Sequence, residues 1–147
     1  MINVMIVFNF RGKRMRKIEH AAQPLEDWRE GVKTRMHVSA CNGATQLCIF
    51  EQWVAPALGA PEHQHPVEEV LTVLSGEADV WIDDTHTALT NGQSVVVPAL
   101  KMHGFRNTGS ETLHMHAVLA APIFEASYDG SGPSMRRWAH PELGSSS

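Results

Sequence analysis

Between residues 32 and 120 the chain alternates apolar and polar positions in short runs, with turn-forming residues between them. Successive side chains of a strand point to opposite faces, so this pattern predicts strands with one buried side. Residues 32–39 (VKTRMHVS) and 45–54 (TQLCIFEQWV) read as two strands joined at an Asn42-Gly43 hairpin signal. In the second of them Leu47, Ile49 and Trp53 share a face. A stretch rich in Pro, Gly and Ala, residues 55–61, ends it. Further strands are expected at 69–74, 77–82, 85–89, 94–97, 102–107 and 112–120. Gly76, Asp83-Asp84, Asn91-Gly92, Pro98 and residues 108–110 separate them. Residues 25–28, after Pro24, are expected to form a short helical turn ended by Gly31. Helical periodicity is otherwise nearly absent. Many short strands at even spacing indicate an all-β sandwich or barrel, the class that includes double-sheet jelly rolls.

The two ends read differently. Residues 1–10 are apolar, and Arg11, Lys13, Arg14, Arg16 and Lys17 follow them. A secretory signal has the reverse order and a small-residue cleavage site. The run is also too short to cross a bilayer as a helix. It is either an extra edge strand or a segment outside the native fold, with Met15 as an alternative start. From Pro122 the periodicity fades, and residues 131–133 and 144–147 read as loop and tail. The expected organisation is an N-terminal extension at 1–17, a β-barrel domain at 18–125 and an irregular C-terminal segment at 126–147.

Composition narrows the function classes. A length of 147 residues favours one domain with one core. A 43% hydrophobic and 19% charged composition suits a globular chain. The net charge of −4 gives no electrostatic case for nucleic acid or an anionic membrane as partner. Cys41 and Cys48 lack C-x-x-C spacing and are expected to be reduced thiols in a cytoplasmic protein. Nine histidines are many for this length and hint at metal chemistry.

The chemistry concentrates in residues 61–76, PEHQHPVEEVLTVLSG. His63 and His65 are two apart, so on an extended strand both imidazoles aim to one side. Glu69 follows the bend expected at Pro66 and is placed to return to the same point. Two imidazoles and a carboxylate suit a first-row divalent metal. His103 is the strongest candidate for a fourth ligand.

These residues carry a family resemblance. His63-Gln-His65-x3-Glu69-x6-Gly76 resembles the first cupin motif, G-x5-H-x-H-x3-4-E-x6-G. Gly92-x5-Pro98-x-Leu100-x2-His103-x3-Asn107 resembles the second, G-x5-P-x-G-x2-H-x3-N. The gap of residues 77–91 is typical of compact single-domain bacterial cupins. Two departures stand out. Gly59, if it is the leading glycine, sits two residues too close to His63, which alters a loop. Leu100 stands where glycine is expected, so the turn before His103 is expected to differ, because a bulky residue tolerates positive φ poorly.

The resemblance implies a double-stranded β-helix, that is, a jelly-roll barrel. It implies one divalent metal (Fe, Mn, Ni or Zn) held by His63, His65, Glu69 and His103, with coordination positions left for water, substrate or dioxygen. The activities it implies are dioxygenation, isomerisation, decarboxylation or lyase chemistry on a small organic molecule, with oxidoreductase chemistry of the dioxygenase kind preferred. The same segments are similar to the plant auxin-binding proteins, which implies an alternative: a non-catalytic binder of a carboxylate or sugar at the metal. Leu71, Val73, Phe105, His116 and Glu51 are candidate pocket lining. His114 and His116 repeat the H-x-H spacing without a nearby carboxylate in sequence. Glu68 is read as a surface charge, and His20, His37, His86 and His140 as exposed. No P-loop, dinucleotide fingerprint or G-x-S-x-G is present. A homodimer is expected, because the apolar face of residues 45–54 is costly to expose.

Overall fold

The computed structural model describes residues 4–8, 14–128 and 134–140. Among the described residues fourteen strands follow in chain order. They are β1 (Val4–Phe8), β2 (Arg14–Ile18), β3 (Leu25–Arg29), β4 (Val32–Val38), β5 (Cys48–Val54), β6 (Gly59–His63) and β7 (Glu69–Ser75). The chain continues with β8 (Glu77–Ile82), β9 (Thr85–Thr90), β10 (Gln93–Val97), β11 (His103–Asn107), β12 (Leu113–Leu119), β13 (Phe124–Ala126) and β14 (Met135–Arg137). A six-stranded antiparallel sheet, β10-β7-β12-β5-β4-β3, faces a four-stranded one, β6-β11-β8-β9. This is the jelly-roll arrangement expected from the alternation. Among the described residues no helix is long and apolar enough to cross a membrane.

The inner faces supply the core. Phe50, Val54, Leu71, Val73, Met115, Ala117 and Leu119 from the larger sheet meet Ala78, Val80 and Phe105 from the smaller. Each large side chain removed from water there stabilises the fold by about 1.5–3 kcal/mol. On β5 the buried residues are Cys48, Phe50, Gln52 and Val54. Ile49 and Trp53 share the opposite, partly exposed face, and Leu47 just before the strand is exposed. Neither cysteine is in a disulfide.

Several local expectations are corrected. Residues 25–28 are not a helical turn but most of β3, paired with β4, and the short 3-10 turn lies at His20–Ala22. The Asn42-Gly43 signal closes a 3-10 turn, Ala40–Asn42, capped by Ser39, with Gly43 at φ 112°. Residues 55–61 contain the start of β6, because its edge pairs with β11. Residues 4–8 of the apolar run form β1, which pairs with β2 in a two-stranded sheet of its own rather than at the edge of a larger sheet. The C-terminal segment is not irregular throughout: β13 and β14 pair, and Phe124 and Trp138 pack with Trp28 and Phe50 in one aromatic cluster.

Leu100 also departs from expectation. It adopts φ 66°, the left-handed conformation that glycine favours, and its N–H donates to the His65 carbonyl at 2.8 Å. The turn before His103 is therefore kept, with a leucine strained to fit it. Its side chain is 64% exposed and gains little from burial. Left-handed backbone costs a non-glycine residue about 1–2 kcal/mol, against about 0.5–1 kcal/mol of extra chain entropy for glycine. Leu100→Gly is expected to raise stability by up to about 1 kcal/mol, read as a higher denaturant midpoint. A lower midpoint would show that the leucine is held by packing.

Candidate metal centre

His63 ends β6, and His103 begins β11. These strands pair with His63 directly opposite His103. Glu69 begins β7 in the other sheet, and His65 lies in the connection between β6 and β7. The four side chains thus meet at one end of the space between the sheets. Their ligand atoms all lie within 4.8 Å of one another, and all four residues are buried.

Each imidazole is aimed by a backbone carbonyl. The Nδ1 of His63 bonds the Pro61 oxygen at 2.7 Å, that of His65 the Glu125 oxygen at 2.7 Å, and that of His103 the Lys101 oxygen at 2.9 Å. A carbonyl only accepts, so each Nδ1 carries the proton and donates. The neutral ring then presents an Nε2 lone pair to the centre, the tautomer metal-binding histidines use. His103 Nε2 lies 3.1 Å from Glu69 Oε1, and His65 Nε2 lies 3.4 Å from Glu69 Oε2. The His65 Nε2 is fully buried and has no hydrogen-bond partner. A buried polar atom left in that state is destabilising. Three Nε2 atoms, one of them orphaned, around a carboxylate fit a divalent transition metal with positions to spare.

Electrostatics prepare the donors. Burial would raise the Glu69 carboxyl, but His103 and His65 outweigh it and hold the group well below the usual carboxylate range. Burial and the neighbouring His103 and His65 push His63 down to about 4. Burial would also lower His65, yet Glu69 raises it above its ordinary 6.5. For the metal-free fold the signs divide. Glu69 and His63 contribute stability that is lost as pH falls through their lowered values. The contribution of His65 is complete below pH 6.5 and is lost as pH rises through its raised value. Metal must displace the His65 proton. Metal affinity is therefore expected to increase with pH beyond 6.5 and then level off, as checked by competition titrations across pH. A plateau already reached below pH 6.5 would contradict the role of His65.

A cavity of about 30 Å³ adjoins the centre, lined by Trp28, Arg29, Gln52, Leu71, Phe105 and Tyr128 together with His63 and Glu69, among others. Leu71 and Phe105 are thus where the alternation places them. Val73, Glu51 and His116 do not line this cavity. Val73 is buried in the core. Glu51 has the opposite parity to Phe50 and Gln52 on β5, and His116 pairs directly with Glu51, so both lie on the outer face of the large sheet. His37 is buried rather than exposed, whereas His20, His86, His140 and Glu68 are exposed.

Arg29, Gln52, Trp28 and Tyr128 carried no motif. Arg29 Nε donates to the Gly59 carbonyl at 2.9 Å. Burial lowers its guanidinium pKa, but arginine remains a cation at neutral pH. The alternation of β3 was obscured by Pro24, and Tyr128 lies beyond the periodic region.

Sequence and fold comparisons agree on the class. The family model described as "Cupin domain" matches residues 50–119, so this stretch carries a cupin domain. Auxin-binding protein 1 of Arabidopsis thaliana is 27% identical over 57% of this chain and 47% of its own length. Protein SchB of Streptomyces halstedii is 38% identical over 46% of this chain and 49% of its own length. The chain spans about half the length of the curated relatives it matches. Among solved structures, the polyketide cyclase RemF from Streptomyces resistomycificus aligns with a TM-score of 0.63 at 22% identity, over 71% of this chain and 78% of that one.

Proposed function

We propose that this chain is a metal-dependent enzyme acting on a small organic molecule that carries a carboxylate or enol oxygen. The observation that carries the reading is the convergence of His63, His65, Glu69 and His103, with every Nδ1 tied to backbone, beside a cavity that Arg29 also lines. The residues themselves divide the work. His63, His65, Glu69 and His103 hold one Fe, Mn, Ni or Zn ion. When bound, that ion supplies Lewis-acid and, for iron, redox chemistry to a coordinated oxygen. Arg29 pairs with an anionic substrate group, and a guanidinium suits a carboxylate. Leu71, Phe105, Phe124 and Trp28 make the walls apolar and keep water from the reacting centre. Gln52, held by its Nε2 bond to the Thr34 hydroxyl at 2.9 Å, offers a fixed amide to the same space.

Dioxygenation is the preferred reaction, with isomerisation, decarboxylation or lyase chemistry as its rivals. Tyr128 places a phenol at the cavity wall, its ring 6.0 Å from that of His63, and is the candidate for proton transfer in those rivals. The likeness to auxin-binding protein 1 supports a second reading, a carboxylate binder without turnover. Protein loaded separately with Fe(II), Mn(II), Ni(II) and Zn(II) and offered a panel of small carboxylates and enols separates them. Substrate-dependent oxygen uptake with iron supports the oxygenase. Ligand conversion without oxygen uptake supports the rivals. Tight binding with no conversion under any metal rejects the enzyme. Arg29→Ala is expected to raise KM about tenfold or more while changing kcat little.

The reading extends to setting. A cytoplasmic homodimer is proposed, paired through the β10–β7 edge of the large sheet, where Val96 and Leu74 are exposed. A sedimentation run showing only monomer would reject it.

A further inference from the structure

The outer face of the large sheet carries a second convergence of donors. Glu51 sits on the middle of β5, between β4 and β12. His116 on β12 is directly opposite it. A bulge between Met36 and Val38 on β4 breaks the register beside it and leaves His37 buried against this carboxylate. His37 Nε2 contacts Glu51 Oε2, and His114 Nε2 lies 3.2 Å from Glu51 Oε1. His20, presented by the 3-10 turn at His20–Ala22, stacks on His37 with ring centroids 3.7 Å apart and an interplanar angle of 8°. One donor atom from each of His20, His37 and Glu51 lies within 4.8 Å of the others.

We infer that His20, His37 and Glu51 form a second metal site, on the outside of the barrel, for a borderline divalent ion of the zinc class. Two imidazoles and a carboxylate are the donor set such an ion takes, with a position left over for water or a further ligand. The two carboxylate oxygens have separate partners. Oε2 faces His37, while Oε1 is held by His114, whose ring stacks on Trp53 at 4.9 Å and 12°. His114 is thus a positioning residue that fixes the carboxylate plane. His116, its ring 6.1 Å from that of His37, completes the ring of imidazoles around Glu51. Burial and the nearby His20 lower the pKa of His37. His20 is exposed, so the ion would enter from solvent. The site shares no residue with His63, His65, Glu69 and His103, and its existence does not depend on the proposed activity.

The test is stoichiometry on the full chain, stripped with chelator and titrated with Zn(II) in a calorimeter. Two equivalents are expected, falling to one in His20→Ala and in Glu51→Gln. In His63→Ala/His65→Ala one equivalent is expected to remain, and adding His20→Ala to that chain should remove it. His86→Ala, which breaks a comparable exposed His86–Asp79 pair at 2.7 Å, is expected to change nothing. Loss of His20, a direct donor, should weaken the outer equivalent about 100-fold or more. Should the interior double variant fail to fold, ring-nitrogen NMR of the unaltered chain supplies the answer: the second equivalent of Zn(II) should shift His20 and His37 and leave His86 in place. One equivalent in the unaltered chain, two retained in His20→Ala and Glu51→Gln, or an equal loss in His86→Ala would each overturn the assignment.

Discussion

Glu69→Gln is expected to lower metal affinity by about 100-fold or more while leaving the strands in place. The amide has nearly the shape of the carboxylate, so packing at the start of β7 is conserved. Its charge is gone, however, and one of its two terminal atoms becomes a donor facing the His103 and His65 Nε2 atoms that now meet the carboxylate oxygens. Loss of outer-sphere partners alone typically costs 10- to 100-fold in metal affinity, and a direct donor sets a larger effect. Metal content per chain after purification, together with circular dichroism for the fold, reads the result. A companion measurement is thermal. Metal binding only the native state at 1,000 times Kd adds about 4 kcal/mol of stability. At the same metal concentration a 100-fold weaker site adds only about 1.4 kcal/mol, so the increment should fall to that value or below in Glu69→Gln. Full occupancy in the variant would remove Glu69 from the ligand set.

Gly59→Ala is expected to cost about 3 kcal/mol and to loosen the metal centre from a distance. A Cβ built on Gly59 would sit 1.9 Å from the Phe105 carbonyl oxygen and 2.8 Å from the Arg106 backbone. These are backbone atoms of β11 and cannot turn aside, so β6 must move away from β11. Overpacking of this kind typically costs 1–3 kcal/mol, at the upper end where nothing yields. Because His63 and His103 are brought together by that same pairing, metal affinity should fall along with the denaturant midpoint. Gly92→Ala is the contrast. Nothing lies within 4 Å of an added Cβ there, and the cost is the backbone strain at φ 82°, about 1–2 kcal/mol. If the two variants are equally stable, close approach at Gly59 is not what requires the glycine.

The jelly-roll class and the four converging side chains were readable from local pattern. Period-two alternation marks a strand with one buried face and turns His63 and His65 to one side, while Glu69 arrives from the other sheet and His103 from the facing strand, which the two motifs and not the alternation point to. The strands that escaped notice were those whose definition is a partner, not a pattern. β6 contains Pro61 and no alternation, and it exists because β11 lies alongside. β13 and β14 are three residues each and hold one another. Motif spacing alone makes Gly59 a loop position, but its role is contact between two backbones. Parity groups Glu51 with one face of its strand but cannot say which face is inward. The buried Phe50 and Gln52 on either side settle that it faces out. The carboxylate beside His114 and His116 leaves no local signal, because it comes from a neighbouring strand far along the chain.

The aim of His65 rests on a carbonyl supplied by Glu125, in β13, outside the stretch 50–119 that matches the family model. A recombinant fragment cut to that stretch would keep every donor atom and yet release one of them from its mount. Swapping the tail between related barrels, or fusing a tag directly after Leu119, would be felt as altered metal selectivity rather than as a broken shell. The strand at Phe124–Ala126 is in this sense part of the instrument, through a main-chain oxygen.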